Sequence, residues 1–549
     1  MRTFLKENKY LVFLWILCSI ALILFCGHYS NILFDIGREC YYPEMILKGK
    51  VLYKDLFNIY GPFSYLWNAL LYKIFSPNLG ILYFSGIISS FAIVSGIYLI
   101  AKKFLSETLS FCIGVFTIVT GVCATHLFGY VLPYSYAMLY GTVGIIYSLW
   151  ALVKYKETDK TQYFYLSALL GGFCAANKYD FFLYGIFLFV VALCSKNKKV
   201  VLNFITCFMF IPLICGLILF IQKLGLNDII NAFNDIKLIT HSKSLEIMYR
   251  NHGVFFDIRL LKIWAYNFIP AALFCGIFAG AVKLYDKHKM LSRIILTISA
   301  FFALGFLNPA ESFVFLVPLM IVTALFAFKN LKNNAPLLYL LIGTITICIK
   351  NIWALTPLSY GNYVIPIVIC VFLAIIFTFV DRKYEKVFAI FLLIISLKFL
   401  GGFMNFNMYL SEKIASPKGT VYTGKYSLQT KVADKIIELA EKEKPNEIVI
   451  YPEGLLINFL TDTKSEDYYN SMLPMYTESF GEQKYIDALE KSKPEYVVII
   501  LSDMAEYGTG FLGINYGLNF NDYLSEKYYL PEEYNEKSVP TEYLIYKRK

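Results

Sequence analysis

The sequence predicts an α-helical polytopic membrane protein of about thirteen transmembrane helices, followed by a small extracytoplasmic α/β domain. Three observations carry that prediction. Hydrophobic residues make up 58% of the chain and charged ones only 16%, a balance no ordinary soluble enzyme shows. The apolar residues come in long runs separated by short cationic clusters, and the composition turns abruptly charged and polar after Met404.

The runs fall near residues 11–27, 80–101, 108–127, 134–153, 163–177, 181–194, 200–222, 263–284, 294–307, 313–328, 335–351, 364–380 and 387–404. With the start (Arg2, Lys6, Lys9) in the cytoplasm, the clusters at Lys102 and Lys103, Lys154 to Lys160, Lys196 to Lys199, Lys287 to Arg293, Lys329 to Lys332, and Arg382 with Lys383 all lie inside. This is the positive-inside pattern. The formal charge of +10 therefore reflects topology, and nucleic acid is not an expected partner. The first run lacks a small-residue cleavage site and reads as a retained span. Twelve cysteines are scattered, nearly all in apolar runs, without metal-ligand or disulfide spacing. No internal repeat is visible, which gives no support to transporter-style inverted halves.

This organisation divides the chain into a transmembrane region (1–404), with external loops at 28–75 and 223–262, and a soluble region (405–549). In the soluble region a helix from Leu428 to Lys442, a strand from Glu447 to Tyr451, a helix from Glu482 to Lys491, and strands at Tyr496 to Leu501 and Tyr543 to Tyr546 argue for a small α/β domain. Pro452-Glu453-Gly454 and Ser502-Asp503 follow strand ends, where sites often lie, although ordinary turns of a structural cap look the same in sequence. The loop at 223–262 reads equally as a lid or as an inert connection.

The chemistry concentrates in DIGRECYYPEMILKGKVLYKDLFNIYGPFSYLWNALLYKIF, residues 35–75. Asp35, Arg38 and Glu39 follow the first span, where charges are solvated at the bilayer edge and reach lipid headgroups. Asp35 and Glu39 are one helical turn apart and share a helix face. A short amphipathic piece (Tyr41 to Leu47), Leu52-Tyr53-Lys54-Asp55, and Tyr60-Gly61-Pro62 opening an aromatic helix follow, and both helical pieces read as interfacial.

The ordered set of Asp35, Glu39, Gly49-Lys50-Val51-Leu52-Tyr53-Lys54-Asp55 and Tyr60-Gly61-Pro62 resembles the first external loop of GT-C membrane glycosyltransferases. It looks most like the bacterial branch near the dolichyl-phosphate-mannose-protein mannosyltransferases and the aminoarabinose transferase. The strong match covers residues 35–75, and the hydropathy plan of the whole chain agrees with it. The resemblance implies an inverting glycosyltransferase that moves a sugar, mannose being the family-level favourite, from a polyprenyl-phosphate donor to a glycan, lipid or protein acceptor at the outer face. In a bacterium that is the outer face of the plasma membrane.

By the same resemblance Asp35 takes the place of the general base. Glu39 is a second catalytic candidate, holding the base or orienting the acceptor, or else simply the partner of Arg38. Asp55 and Tyr60 belong to the matched elements, Asp55 chiefly as a loop-closing residue. A polyprenyl-phosphate leaving group needs cations, and Arg38, Lys178 and Lys350 are the candidates. Lys178 interrupts an apolar stretch, and Asp180, two residues on, offers a simple ion pair instead. Tyr363 lies in a polar mouth, Tyr360-Gly361-Asn362-Tyr363. The Tyr-rich loop Tyr130 to Tyr136 and this mouth otherwise read as membrane-belt aromatics. That loop holds no acid, so a divalent metal is not expected, although Glu311 and the acids of the second loop leave the question open. A glycolipid flippase and a non-catalytic assembly subunit are the rival readings.

Overall fold

The computed structural model describes residues 8–425, 427–535 and 542–549. Helices α1 (Lys9–Phe25), α2 (Ile36–Leu47), α3 (Phe63–Phe75), α4 (Leu79–Phe104), α5 (Glu107–Thr117), α6 (Tyr136–Thr158), α7 (Thr161–Asn177), α8 (Phe182–Cys194) and α9 (Lys198–Ile221) form the first part. Helices α10 (Leu226–Thr240) and α11 (Lys243–Asn251) lie in the segment read from the sequence as the second external loop. Then come α12 (Ile258–Leu284), α13 (Lys289–Phe306), α14 (Leu316–Phe326), α15 (Phe328–Lys332), α16 (Ala335–Ile347), α17 (Ile365–Ile376) and α18 (Glu385–Tyr409). Each predicted apolar run falls on a helix. Among the described residues six helices are long and apolar enough to cross a bilayer, so the protein is an integral membrane protein.

Local chemistry starts these helices where the polar breaks lie. The Asn78, Ser106 and Ser135 side chains accept hydrogen bonds from the backbone N–H groups of Ile81, Leu109 and Met138, capping α4, α5 and α6. Helix α6, buried along most of its length, packs against α7, α4 and α16. In contrast, α9 and α13 leave most side chains exposed, as lipid-facing helices do.

After α18 come a hairpin, β1 (Glu412–Ser416) and β2 (Gly419–Thr423), then α19 (Leu428–Glu443), β3 (Ile448–Tyr451), α20 (Leu455–Thr461), α21 (Pro474–Phe480), α22 (Glu482–Ser492), β4 (Tyr496–Ile500), α23 (Leu518–Lys527), β5 (Tyr528–Tyr529) and β6 (Tyr543–Arg548). The main sheet has the order β3-β4-β6-β5, with β3 and β4 parallel and the other pairs antiparallel. The hairpin, α20, α21, α23 and β5 were not foreseen in the sequence.

Part of the hydrophobic core of the C-terminal segment, including Leu456, Ile457 and Phe459, is continuous with that of the helical bundle, and the rest packs with Phe57 of the first loop and Ile239, Leu245 and Met248 of the second. The seam with the bundle is the first loop. Helix α2 starts five residues before the predicted amphipathic piece and is buried along nearly its whole length, so it is not interfacial as its pattern suggests. A Cβ on Gly37 would stand 2.3 Å from the backbone nitrogen of Leu456, so only glycine lets α2 and α20 approach this closely. The backbone of Ser465 donates to the Tyr41 hydroxyl at 2.8 Å, Ile32 N–H donates to Gln429 Oε1 at 2.6 Å, and Phe57 N–H donates to the carbonyl of Tyr468 at 2.9 Å. Lys418 pairs with Glu44 at 2.8 Å.

Removing one of these bonds tests the seam. Tyr41→Phe leaves a buried N–H without its partner, at a cost of about 1–3 kcal/mol. Proteolysis within residues 411–549 is then expected to accelerate roughly tenfold in detergent. An unchanged cleavage rate would show that the seam does not hold the segment.

Candidate functional site

The site begins with a backbone contortion. Asp35 has φ 60° and ψ −57°, and the N–H of Ile36 donates to the carbonyl of Phe34 at 2.6 Å across it. This is a γ-turn of the rare, strained hand, costing about 1–3 kcal/mol for a non-glycine residue. The turn lies immediately before α2 and directs the carboxylate into a cavity of about 520 Å³. The Asp35 side chain keeps 35% exposure there.

Six parts of the chain line this cavity. The first loop supplies Asp35, Arg38 and Tyr60, the loop between α5 and α6 supplies Leu127 and Phe128, the turn between α7 and α8 supplies Lys178 and Asp180, and the segment after α16 supplies Lys350 and Tyr360. The second loop contributes Met248, Tyr249 and His252. The C-terminal segment contributes Glu453, Tyr476 and Glu506. The second loop thus covers the cavity: Glu478 accepts from the backbone N–H groups of Lys243 and Ser244 at 2.8 and 2.9 Å, fixing the start of α11.

The cations have defined surroundings. Arg38 Nη2 donates to Asp35 Oδ1 at 3.4 Å and Arg38 Nε to the Tyr65 hydroxyl at 3.1 Å. The Arg38 guanidinium and the Lys178 ammonium each lie 5.0 Å from the centre of the Tyr60 ring, so that ring stabilises both through its π face. Lys178 donates to the Tyr134 hydroxyl at 2.5 Å and pairs with Asp180 at 3.2 Å. Asp180 also pairs with Lys350 at 2.8 Å. The simple ion pair read as an alternative for Lys178 is present, and its one carboxylate serves two cations, Lys178 and Lys350. Burial, opposed by Asp180, pushes the Lys178 ammonium down to about 8.

Other candidates lie outside the cavity. Glu39 is fully buried and does not line it. Its Oε1 accepts from the Tyr65 hydroxyl at 2.6 Å, and its Oε2 accepts from the backbone N–H of Tyr136 at 2.7 Å. The Arg38 Nε is 3.5 Å from Oε1. Both carboxylate oxygens are engaged, with Tyr65 and the start of α6, and Arg38 lies beside them. Asp55 Oδ2 accepts from the backbone N–H of Val51 at 2.8 Å and closes its own turn. Tyr363, also outside the cavity, donates its hydroxyl to the carbonyl of Gly129 at 3.3 Å.

The motif around Asp55 works through Tyr53, whose hydroxyl donates to the carbonyl of Tyr60 at 2.6 Å, while Asn58 Nδ2 donates to the same carbonyl at 2.8 Å. These bonds set the Tyr60 ring beneath the two cations. Tyr134 and Tyr360, read as belt aromatics, are instead part of the site: Lys178 lies 5.0 and 5.6 Å from their ring centres. Frequency of Tyr in the chain hid them. Their positions beside Pro133 and Gly361 in polar loops were the available signal.

Glu453, at a strand end that reads in the sequence either as a site or as an ordinary turn, lies against Asp35. Its Oε2 accepts from the backbone N–H of Asp35 at 2.8 Å, and only 8% of the residue is exposed. Burial and the charge of Asp35 raise the Glu453 carboxyl to about 7. Asp35 is raised as well, by burial first, with Arg38 opposing.

A strained acid, a cation-lined recess and a covering second loop therefore meet at the end of a helical bundle, sealed by an α/β segment. No family model matches the sequence, and no curated protein matches it either. The fold does have solved counterparts. The archaeal oligosaccharyltransferase AglB from Archaeoglobus fulgidus, in complex with an inhibitory peptide and a dolichol-phosphate, is similar over 97% of this chain and 75% of its own, at 11% identity and a TM-score of 0.50. ArnT from Cupriavidus metallidurans, bound to undecaprenyl phosphate, is similar over 98% of both chains at 10% identity and a TM-score of 0.48. The chain shares the fold of AglB. Within it the first loop touches the bundle through Glu39 and Gly61 and the C-terminal segment through Asp35 and Gly37.

Proposed function

We propose that the protein is an inverting glycosyltransferase that takes a sugar from a polyprenyl-phosphate donor and passes it to a hydroxyl-bearing glycan, lipid or protein acceptor, at the outer face of a bacterial plasma membrane. In this reading all thirteen apolar segments span the membrane, the N-terminus is cytoplasmic, and the C-terminal segment is extracytoplasmic. The observation that carries the proposal is the arrangement in one cavity of a carboxylate, Asp35, opposite the Lys178, Asp180 and Lys350 cluster. The binding of dolichol-phosphate by a protein of this fold supports a lipid-phosphate donor.

The reaction follows from that geometry. Asp35 takes the proton of the acceptor hydroxyl as its oxygen attacks C1 of the sugar. The C1–O bond to phosphate breaks on the opposite face, the phosphate leaves with the electron pair, and one displacement inverts the anomeric centre. Lys178, Lys350 and Arg38 meet the charge developing on the phosphate. Tyr60 and Tyr134 hold the cations in place, and the cover of α10 and α11 limits water in the cavity, which strengthens those contacts.

The test is label transfer from radiolabelled polyprenyl-phosphate sugars, mannose first, in membranes carrying equal amounts of wild-type or Lys178→Met protein, with EDTA in parallel. Wild type is expected to transfer label with or without EDTA, and Lys178→Met is expected to raise the donor KM about tenfold or more. Preference for a nucleotide-sugar donor, or an unchanged KM in the variant, would refute the phosphate assignment.

A further inference from the structure

We infer that Glu453, carried by the C-terminal segment, is a positioning residue for the base: its ionised carboxylate holds the Asp35 turn in place and strengthens Asp35 as a proton acceptor. The inference rests on the transfer reaction proposed above and adds a residue that lies 418 positions away in the chain.

The geometry is specific. Glu453 follows β3 and precedes α20, and the Gly37 contact presses α20 onto α2. That places Glu453 Oε2 on the N–H of Asp35, the residue with the strained φ. A strained turn persists only where its surroundings over-determine it. Here the N–H side is fixed by Glu453 and the carboxylate side by Arg38. Water-sized space remains behind the pair, a pocket of about 20 Å³ lined by Arg38, Asn58, Glu453, Asn470 and Ser471, which is room for about one water.

Charge balance gives Glu453 its second effect. Arg38, Lys178 and Lys350 are three cations. Asp35, Glu39, Asp180, Glu453, Asp503 and Glu506 are six carboxylates in or beside the cavity. The groups facing Asp35 are Arg38 and Glu39 on α2, Lys178 after α7, Glu453 and Glu506 from the C-terminal segment, and the hydroxyls of Tyr60, Tyr360, Tyr363, Tyr476 and Tyr507. Those facing Glu453 are Asp35, Arg38, Ser471 and the tyrosines 476, 507 and 516. No cation belongs to Glu453 alone, so the proton taken up first as pH falls goes to it, consistent with a carboxyl raised to about 7. While Glu453 is ionised, its charge favours a proton on Asp35, which makes Asp35 a better base. Once Glu453 is protonated that help is gone.

The sign follows directly. Wild-type kcat/KM is expected to fall as pH drops through about 7. Glu453→Gln still offers an oxygen to the Asp35 N–H but has no charge to lose, so its acid limb is expected about one pH unit lower, with a plateau about tenfold below wild type. Glu453→Ala loses the hydrogen bond as well and is expected to lower kcat further, with the donor KM unchanged. The experiment measures kcat/KM against pH for full-length wild type, both Glu453 variants and Asp35→Asn, in membranes at matched abundance. An unshifted limb in Glu453→Gln, or loss of folded protein in both Glu453 variants, overturns the inference while leaving the transfer reading intact. Full activity in Asp35→Asn overturns both.

Discussion

Asp35→Asn is expected to lower kcat of sugar transfer about 10³-fold, within the range a positioned general base contributes, with donor KM changed only a few-fold. The substitution is close to silent for structure. Asn tolerates positive φ nearly as well as Asp does, the backbone N–H that binds Glu453 is retained, and the side chain keeps its shape. What is lost is a lone pair basic enough to take a hydroxyl proton. Arg38 loses an ionic partner at 3.4 Å but keeps Glu39 and Tyr65, so the cationic side of the cavity stays in place. Steady-state transfer in membranes, with abundance matched by immunoblot, gives the answer. Activity within tenfold of wild type would remove Asp35 from the mechanism, and because Glu39 is buried with both oxygens engaged, no other first-loop acid stands ready to replace it.

How much of this was legible in the chain depends on what kind of signal each residue leaves. Asp35, Arg38, Lys178 and Lys350 stand out because charge at the end of an apolar run is costly and rare, and the structure brings all four to one cavity. The apolar runs themselves are the strongest signal in the sequence, and each lies on a helix. Glu453 was visible only as an acid after a strand. Its partner lies on another element hundreds of residues away, and no local spacing encodes that pairing. The burial of α2 was hidden for a related reason: its Tyr-rich amphipathic pattern serves equally to sit at a lipid interface or beneath a protein segment. The short hairpin, α20 and α21 carry too few residues for their periodicity to be read, and tertiary packing decides their conformation.

The C-terminal segment also changes what covalent continuity means for the site. Base and phosphate cluster come from the bundle and its first loop, whereas the group that touches the Asp35 backbone comes from after β3. A displacement along the α2 to α20 seam therefore moves Glu453 relative to Asp35 without altering Lys178 or Lys350. Changes at the seam are expected to affect base strength first and donor binding second, the reverse of changes at Lys178.

Gly61→Ala gives the second large effect and probes the cationic side by geometry alone. A Cβ at Gly61 would stand 2.2 Å from the carbonyl oxygen of Ala176 and 2.9 Å from that of Asn177, backbone atoms that cannot rotate away. Gly61 N–H also donates to the Asn177 carbonyl at 2.8 Å. This contact joins the first loop to the end of α7, with Tyr60 on one side and Lys178 on the other. An added methyl must push the two apart, so that the Tyr60 ring no longer sits 5.0 Å from both Arg38 and Lys178. Misplacement of about 1 Å at a reacting centre costs on the order of 10²-fold in rate, and kcat/KM for the lipid-phosphate donor is expected to fall by about that factor. Because the strain falls on the phosphate side, the acid limb of the pH profile should stay where wild type has it, in contrast to Glu453→Gln. Gly61→Ala protein that transfers at the wild-type rate would show that Tyr60 and Lys178 can separate without consequence, and the phosphate would then have to be held elsewhere in the cavity.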